Sequence, residues 1–212
     1  MKRINVMLGG IDANIPNLKN VTGKWLGVDH GNIYLMDHGI KPVVSVGDYD
    51  SLNKLELDTL ESQIDDIRYA NPVKDATDSQ LGIEVALDDL NAERVDIYGA
   101  TGGRIDHELV NIFLPLDLKN STNIYKLRII DKKNTINYFQ PGDYRIDKIT
   151  SMKYLGFFNL EAVHNLNIYD AKYQLKNFSS HRPVSFASNE FVKQQVHFSF
   201  DSGVMAAIQS KD

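Results

Sequence analysis

Hydrophobic spacing changes once along this chain, near Lys119-Asn120-Ser121-Thr122-Asn123, and that change limits the possible folds more than any other feature. Before it, short apolar runs at Ile4–Leu8, Trp25–Val28, Val43–Val46, Ile67–Tyr69 and Val95–Tyr98 alternate with helical patterns at Ser51–Ile64, Ser79–Leu90 and Asp106–Leu116. Alternating strand and helix predicts a mostly parallel sheet with helices on both faces. After it come short runs rich in β-branched and aromatic residues, at Ile124–Ile130, Thr135–Phe139, Lys153–Phe158, Leu166–Tyr169, Val184–Ala187, Val196–Phe200 and Val204–Gln209. Turn chemistry separates them, as in Gln140-Pro141-Gly142-Asp143 and Asp201-Ser202-Gly203, which predicts a sandwich or barrel. The expectation is an α/β chain: a Rossmann-like parallel-sheet domain over residues 1–120, then an all-β sandwich over 124–212.

Ligands of open parallel sheets bind beyond the carboxyl ends of the strands. Three segments fall there: Val46-Gly47-Asp48-Tyr49-Asp50-Ser51, Lys74-Asp75-Ala76-Thr77-Asp78, and Gly99-Ala100-Thr101-Gly102-Gly103-Arg104-Ile105-Asp106-His107. They carry five carboxylates toward one sheet edge. Crowded carboxylates repel one another, so a fold that gathers them commonly holds a divalent cation. In an extended chain residues i and i+2 point the same way, so Asp48 and Asp50 can share one cation, and Asp78 can join them. Arg104 offers a planar fork for phosphate oxygens, and Gly102-Gly103 lets backbone approach a ligand.

Each segment also has a plainer reading. Asp50 or Ser51 can cap the following helix, Asp75 with Asp78 resembles an N-cap with an acidic third residue, and Asp106 can cap its own helix. That reading explains the glycines and Asp106 but leaves Arg104 without a purpose. Neither a Walker A loop nor the three-glycine dinucleotide fingerprint is present.

Composition narrows the classes. Net charge is −5 and the pI about 5.7, which argues against a nucleic-acid binder. Cysteine is absent, so metal ligands must be oxygen or histidine. The N-terminal apolar run is too short for a signal peptide and no stretch is long enough to span a bilayer, giving a cytoplasmic expectation without membrane partners.

At these residues the chain resembles the thiamine pyrophosphokinases (thiamine diphosphokinases). The likeness is carried by Gly-Asp-x-Asp-Ser at 47–51, Lys-Asp-x-Thr-Asp at 74–78, Gly-Gly-Arg-x-Asp-His at 102–107 and Ser188-Asn189-Glu190-Phe191, with Phe198–Gly203 similar to the family's final hairpin. The resemblance implies a homodimeric kinase that transfers pyrophosphate from ATP to thiamine, with active sites shared between subunits. It implies Mg²⁺ on Asp48, Asp50 and Asp78. Nucleotide and phosphate contacts follow at Asp29, Gly47, Lys74, Thr77, Gly102, Gly103 and Arg104, and Asp106 falls near the pyrophosphate and thiamine. Arg104 and Asp106 are the expected catalytic residues, Arg104 stabilising charge on the transferred group, while no dedicated general base is identified and Asp106 or Asp75 could serve. Thiamine contacts fall at Tyr173, Ser188 and Asn189. Val28-Asp29-His30-Gly31 departs from the family's more usual Ala-Asp-Gly-Gly, and Ala171-Lys172-Tyr173-Gln174 lacks the usual glycine and proline. Rival readings are a metal-dependent phosphatase or nucleotidyl transferase on the same scaffold, and a binding module without turnover.

Overall fold

A computed structural model describes residues 1–70 and 76–212 of the chain, which divides into two compact units. The first comprises Met1–Lys119 with Ile129–Lys132, and the second comprises Asn120–Arg128 with Lys133–Asp212.

In the first unit, β1 (Arg3–Met7), β2 (Lys24–Val28), β3 (Val44–Gly47), β4 (Ile67–Tyr69) and β5 (Arg94–Tyr98) form a parallel array in the order β5-β1-β2-β3-β4. Strands accumulate on one side of β1 as far as β4, and the chain then returns to place β5 on the other side. The crevice between β1 and β5 is thus a topological switch point, where parallel sheets bind ligands. Both connecting loops are glycine-rich because they nearly touch: a Cβ on Gly10 would lie 2.2 Å from the Gly99 carbonyl oxygen. The helices are α1 (His30–Asp37), α2 (Lys54–Gln63), α3 (Asp78–Glu84) and α4 (Ile105–Asp117), and α3 continues into a wider π turn over Val85–Asp89. One face of the sheet is filled by Met7, Ile15, Leu18, Trp25, Leu35 and Tyr98, with the Trp25 and Tyr98 rings 5.2 Å apart. α3 lies close against the other face at Gly82, where a Cβ would sit 2.6 Å from Val28 Cγ2.

Helix starts differ from the sequence expectation. α2 begins at Lys54, not Ser51, because Asn53 closes a capping box with Glu56 and outcompetes Asp50 and Ser51. Thr77 caps α3, its hydroxyl accepting from the Gln80 N–H at 3.2 Å, so Asp78 is the first helical residue and not the third. The expected cap Asp75, like Lys74, lies outside the described residues. Arg104 occupies the N-cap position of α4, and Asp106 sits inside its first turn. Helix α1 has no counterpart in the sequence reading. Its start, Asp29-His30-Gly31-Asn32, carries turn residues that mask the apolar Ile33 and Leu35 behind them.

The second unit is a pair of antiparallel sheets. One runs β12 (Val184–Glu190), β9 (Tyr154–Asn159), β14 (Met205–Ser210), β7 (Asn134–Phe139), and the other runs β11 (Leu175–Ser180), β10 (Val163–Ile168), β13 (Gln195–Phe200), β8 (Gly142–Asp147). Their inward residues, including Leu155, Phe157, Leu166, Val196, Phe198 and Phe200, make a common core. The expected strand Ile124–Ile130 is a 3₁₀ turn over Ser121–Lys126 followed by β6 (Leu127–Ile130). Strands β8 and β11 were not expected. The turn at 140–143 ends at Pro141, so β8 starts on Gly142, and β11 (Leu-Lys-Asn-Phe-Ser-Ser) has too few apolar residues to show a period.

Candidate active site

The site grows from a local backbone choice at β3. Tyr49 adopts φ +58°, which turns the chain directly after Asp48. Its ring is buried with Leu60 and Ile64, and its hydroxyl meets Ser45 Oγ at 2.7 Å. Burial pushes the Tyr49 phenol up to about 12, so it stays neutral. Residues 48–50 are therefore not extended, and the alternation expected to align Asp48 with Asp50 does not hold. Asp50 instead folds back, its N–H donating to Asp48 Oδ1 at 3.1 Å.

A different pair joins Asp48. Carboxylate oxygens of Asp29, Asp48 and Asp78, from the segments that follow β2 and β3 and from the first turn of α3, lie within 4.8 Å of one another. Asp29 is held there under strain, at φ 46° and ψ −123°, a combination that residues with a Cβ seldom adopt. Gly47 makes this possible, because a Cβ on it would fall 1.9 Å from Asp29 Oδ1. That oxygen is buried and has no hydrogen-bond partner among the described residues. Burial first, then the charges of Asp78 and Asp48, push the Asp29 carboxyl up to about 7, while the Tyr49 backbone N–H opposes the shift. Such a group is poised to trade its proton for a cation.

Around this trio opens a cavity of about 500 Å³, which also takes in Gly9, Gly10, Asp50, Gly103, Arg104, His107, Glu108 and Asn111. A second cavity of about 380 Å³ adjoins the same carboxylates and is bordered further by Thr77, Asp106, His107 and Val110. Gly102 shapes the wall from behind: at φ +85° it donates its N–H to Glu108 Oε2 at 2.9 Å, and a Cβ there would strike Asn14. The loop is tied further by Thr101 Oγ1, which donates to Asp131 Oδ2 at 2.7 Å.

Arg104 does reach this site, but two of its donors are turned onto Asp106, Nη2 to Oδ2 at 2.5 Å and Nε to Oδ1 at 3.2 Å. The guanidinium holds the Asp106 carboxyl below the usual carboxylate range, so Asp106 is a poor proton acceptor. Gly9, Gly10, Glu108 and Asn111 were not singled out from sequence. The Gly9-Gly10 pair carried the signal, since it follows the first apolar run as the other glycine loops follow theirs.

In the second unit, Asn189 is buried and both ends of its amide are hydrogen-bonded. Oδ1 accepts from the Tyr173 and Glu190 N–H groups at 2.8 and 2.9 Å, and Nδ2 donates to the Tyr173 carbonyl at 2.7 Å. Asn189 thus holds the backbone of Tyr173, whose ring is exposed, with the Lys172 ammonium 5.6 Å from its centroid. Ser188 is exposed at φ +60°, where a break in the β12–β9 register turns Asn189 inward.

The model of the thiamin pyrophosphokinase catalytic domain matches residues 15–126, and that of the thiamin pyrophosphokinase vitamin B1 binding domain matches residues 143–205. The thiamine pyrophosphokinase of Bacillus subtilis is 38% identical over 217 residues, covering all of both chains. Among solved structures, a thiamin pyrophosphokinase family protein from Enterococcus faecalis superposes with a TM-score of 0.93 at 36% identity, again over the whole of both chains. A protein from Lactobacillus plantarum superposes at 0.93 with 42% identity and the same coverage. Two domain matches in order, full-length relatives and a carboxylate-lined cavity at the switch point agree: the chain belongs to the thiamin pyrophosphokinase family.

Proposed function

We propose that the acidic cavity of the first unit holds Mg²⁺ on Asp29, Asp48 and Asp78, takes the triphosphate of ATP beside them, and serves its transfer as pyrophosphate to thiamine. The products are thiamine diphosphate and AMP. The observation that carries this reading is the convergence of three carboxylates from the segments after β2 and β3 and the start of α3, one of them strained, with one buried oxygen that lacks a partner among the described residues. An all-oxygen donor set of this charge suits a hard divalent cation. When bound, such an ion neutralises polyphosphate charge and polarises the phosphoryl oxygens.

The remaining work falls to the chain's own groups. Gly9, Gly10 and Gly103 leave room for phosphate oxygens against backbone. Arg104 sits at the cavity rim with a fork suited to the transferred group, and its bond to Asp106 keeps it oriented until phosphate competes for the same donors. Asp50 adds negative charge next to Asp48 and extends the cation-binding surface. In the second unit the exposed Tyr173 ring already attracts the Lys172 ammonium, and a thiazolium cation suits the same face. Ser188 and Asn189 belong to that surface, the first by exposure and the second by fixing Tyr173. Homodimerisation with shared sites is part of this proposal. It is supported by the resemblance and by the exposure of Ile105, Leu109 and Val110 on α4.

The test is calorimetric titration of Mg²⁺ into the protein with and without a non-hydrolysable ATP analogue, for wild type and Asp48→Asn. Saturable binding that Asp48→Asn weakens at least tenfold, with an unchanged circular dichroism spectrum, is expected. Equal Mg²⁺ affinity in both proteins would remove the cluster from the proposal.

A further inference from the structure

Transfer to an alcohol requires that the hydroxyl proton go somewhere, and the acids around the cluster are poorly suited to receive it. Asp29, Asp48 and Asp78 are committed to the cation in the reading above. Asp106 is clamped by Arg104, which favours its ionised but weakly basic form. The two cavities next to the cluster share five bordering residues: Asp29, Asp78, Ser79, His107 and Asn111. Ser79 is not a base near neutral pH, and the Asn111 side chain donates to the Ala100 carbonyl at 2.9 Å. His107 alone among them carries an imidazole, a side chain suited to accepting and releasing a proton.

We propose that His107 is a catalytic residue of the transfer, accepting the proton of the thiamine hydroxyl as that oxygen attacks. The inference rests on the reading of the site given above and deepens it. The triphosphate occupies the larger cavity and the reacting hydroxyl enters from the smaller, so the two meet at their common wall, where His107 stands. One O–Pβ bond forms, and the bridging bond between Pβ and the α-phosphate oxygen breaks. The electron pair leaves with AMP, the hydroxyl proton passes to an imidazole nitrogen, and the imidazolium later returns it to water. Atoms and charge balance without any further reactant.

The position of His107 suits this task. Its backbone N–H donates to Asp106 Oδ1 at 3.0 Å, which anchors the first turn of α4. The ionisable groups around it are Asp106, Glu108 and Arg104 on or beside its own helix, Asp29 and His30 at the start of α1, Asp48 and Asp50 after β3, and Asp78 on α3. Acids predominate among them. General-base assistance of this kind contributes about 10²–10⁴-fold in rate.

The experiment compares wild type with His107→Gln and His107→Ala in the conversion of thiamine and ATP to thiamine diphosphate and AMP. The readouts are kcat, both Michaelis constants, the pH profile of kcat, and rescue by added imidazole. The expected result is a kcat loss of about 100-fold or more in both variants, with Michaelis constants within about threefold of wild type. The wild-type kcat profile is expected to show an acidic limb that vanishes in His107→Gln, and imidazole should restore turnover to His107→Ala. Retention of kcat within threefold in His107→Gln would overturn the proposal. So would a loss confined to the Michaelis constants, or a loss that leaves the acidic limb in place and resists imidazole. A wild-type protein that releases no thiamine diphosphate would defeat the functional reading itself, and the role of His107 with it.

Discussion

Replacing Asp29 by asparagine should make the metal-free protein more stable while disabling its response to Mg²⁺. In the folded protein this carboxyl is pushed from 3.8 up to about 7 by burial and by its acidic neighbours. An acid whose folded value is raised holds its proton over a range where the unfolded chain has already lost it. Below pH 3.8 both states are protonated and nothing is lost. Destabilisation then accumulates as pH rises and is complete above about 7. The shift of about 3 units corresponds to at most about 4 kcal/mol. Asp29 is only partly buried, and solvent and salt screen its neighbours, so about 1–2 kcal/mol is the expected size. Asparagine keeps the shape and suits the positive φ, and it removes the charge. Urea denaturation in EDTA at pH 8 and pH 4 reads the effect. Asp29→Asn should be the more stable at pH 8 by that amount and nearly equal at pH 4, with similar m-values. Mg²⁺ should raise the wild-type midpoint at pH 8 and leave the variant unmoved. A variant destabilised at pH 8, or one equally stabilised at both pH values, would refute the electrostatic account of the cluster.

Other substitutions probe separate parts of the site. Arg104→Lys should lower turnover more than ATP affinity, because lysine cannot present two parallel donors; steady-state kinetics at varied ATP check this, and a change in the ATP Michaelis constant alone would limit Arg104 to ground-state binding. Thr77→Ala removes the α3 cap and should cost about 1 kcal/mol in denaturant unfolding, with a raised Mg²⁺ requirement because Asp78 is the next residue. Asn189→Ala strands the Tyr173 and Glu190 N–H groups and should cost about 1–3 kcal/mol, together with a higher Michaelis constant for thiamine. Mixing inactive Asp48→Asn with inactive Tyr173→Ala under subunit exchange should restore up to about half of a dimer's activity if sites are shared. No recovery despite measured exchange would mean that each subunit builds its own.

Much of this architecture was legible because the relevant signals are local. The 3.6 and 2.0 periods exposed most of both units, and the placement of glycine and aspartate after apolar runs marked the loops beyond β3 and β5. What could not be read depends on torsions and distant partners. The membership of the carboxylate trio turns on Tyr49 at φ +58°, which the sequence Gly-Asp-Tyr-Asp-Ser does not announce, since its ring leaves the alternation to reach Leu60 and Ile64. Asp29 entered the expectation as a nucleotide contact, and its closeness to Asp48 and Asp78 needs Gly47 to yield space. Asn189 was expected to touch thiamine, whereas its visible partners are backbone groups 1 and 16 residues away, reached through a register break in β12. Strand β11 escaped because an edge strand with one inward phenylalanine has almost no period to detect.

The most direct test of the central claim is the product balance of the purified protein supplied with ATP, Mg²⁺ and thiamine, followed by mass spectrometry over time. Thiamine diphosphate and AMP should appear in equal amounts, with ADP and inorganic phosphate at background, and Asp48→Asn should form neither product while keeping its fold. Thiamine monophosphate with ADP, or free phosphate with no phosphorylated thiamine, would contradict pyrophosphoryl transfer at the Asp29–Asp48–Asp78 cavity.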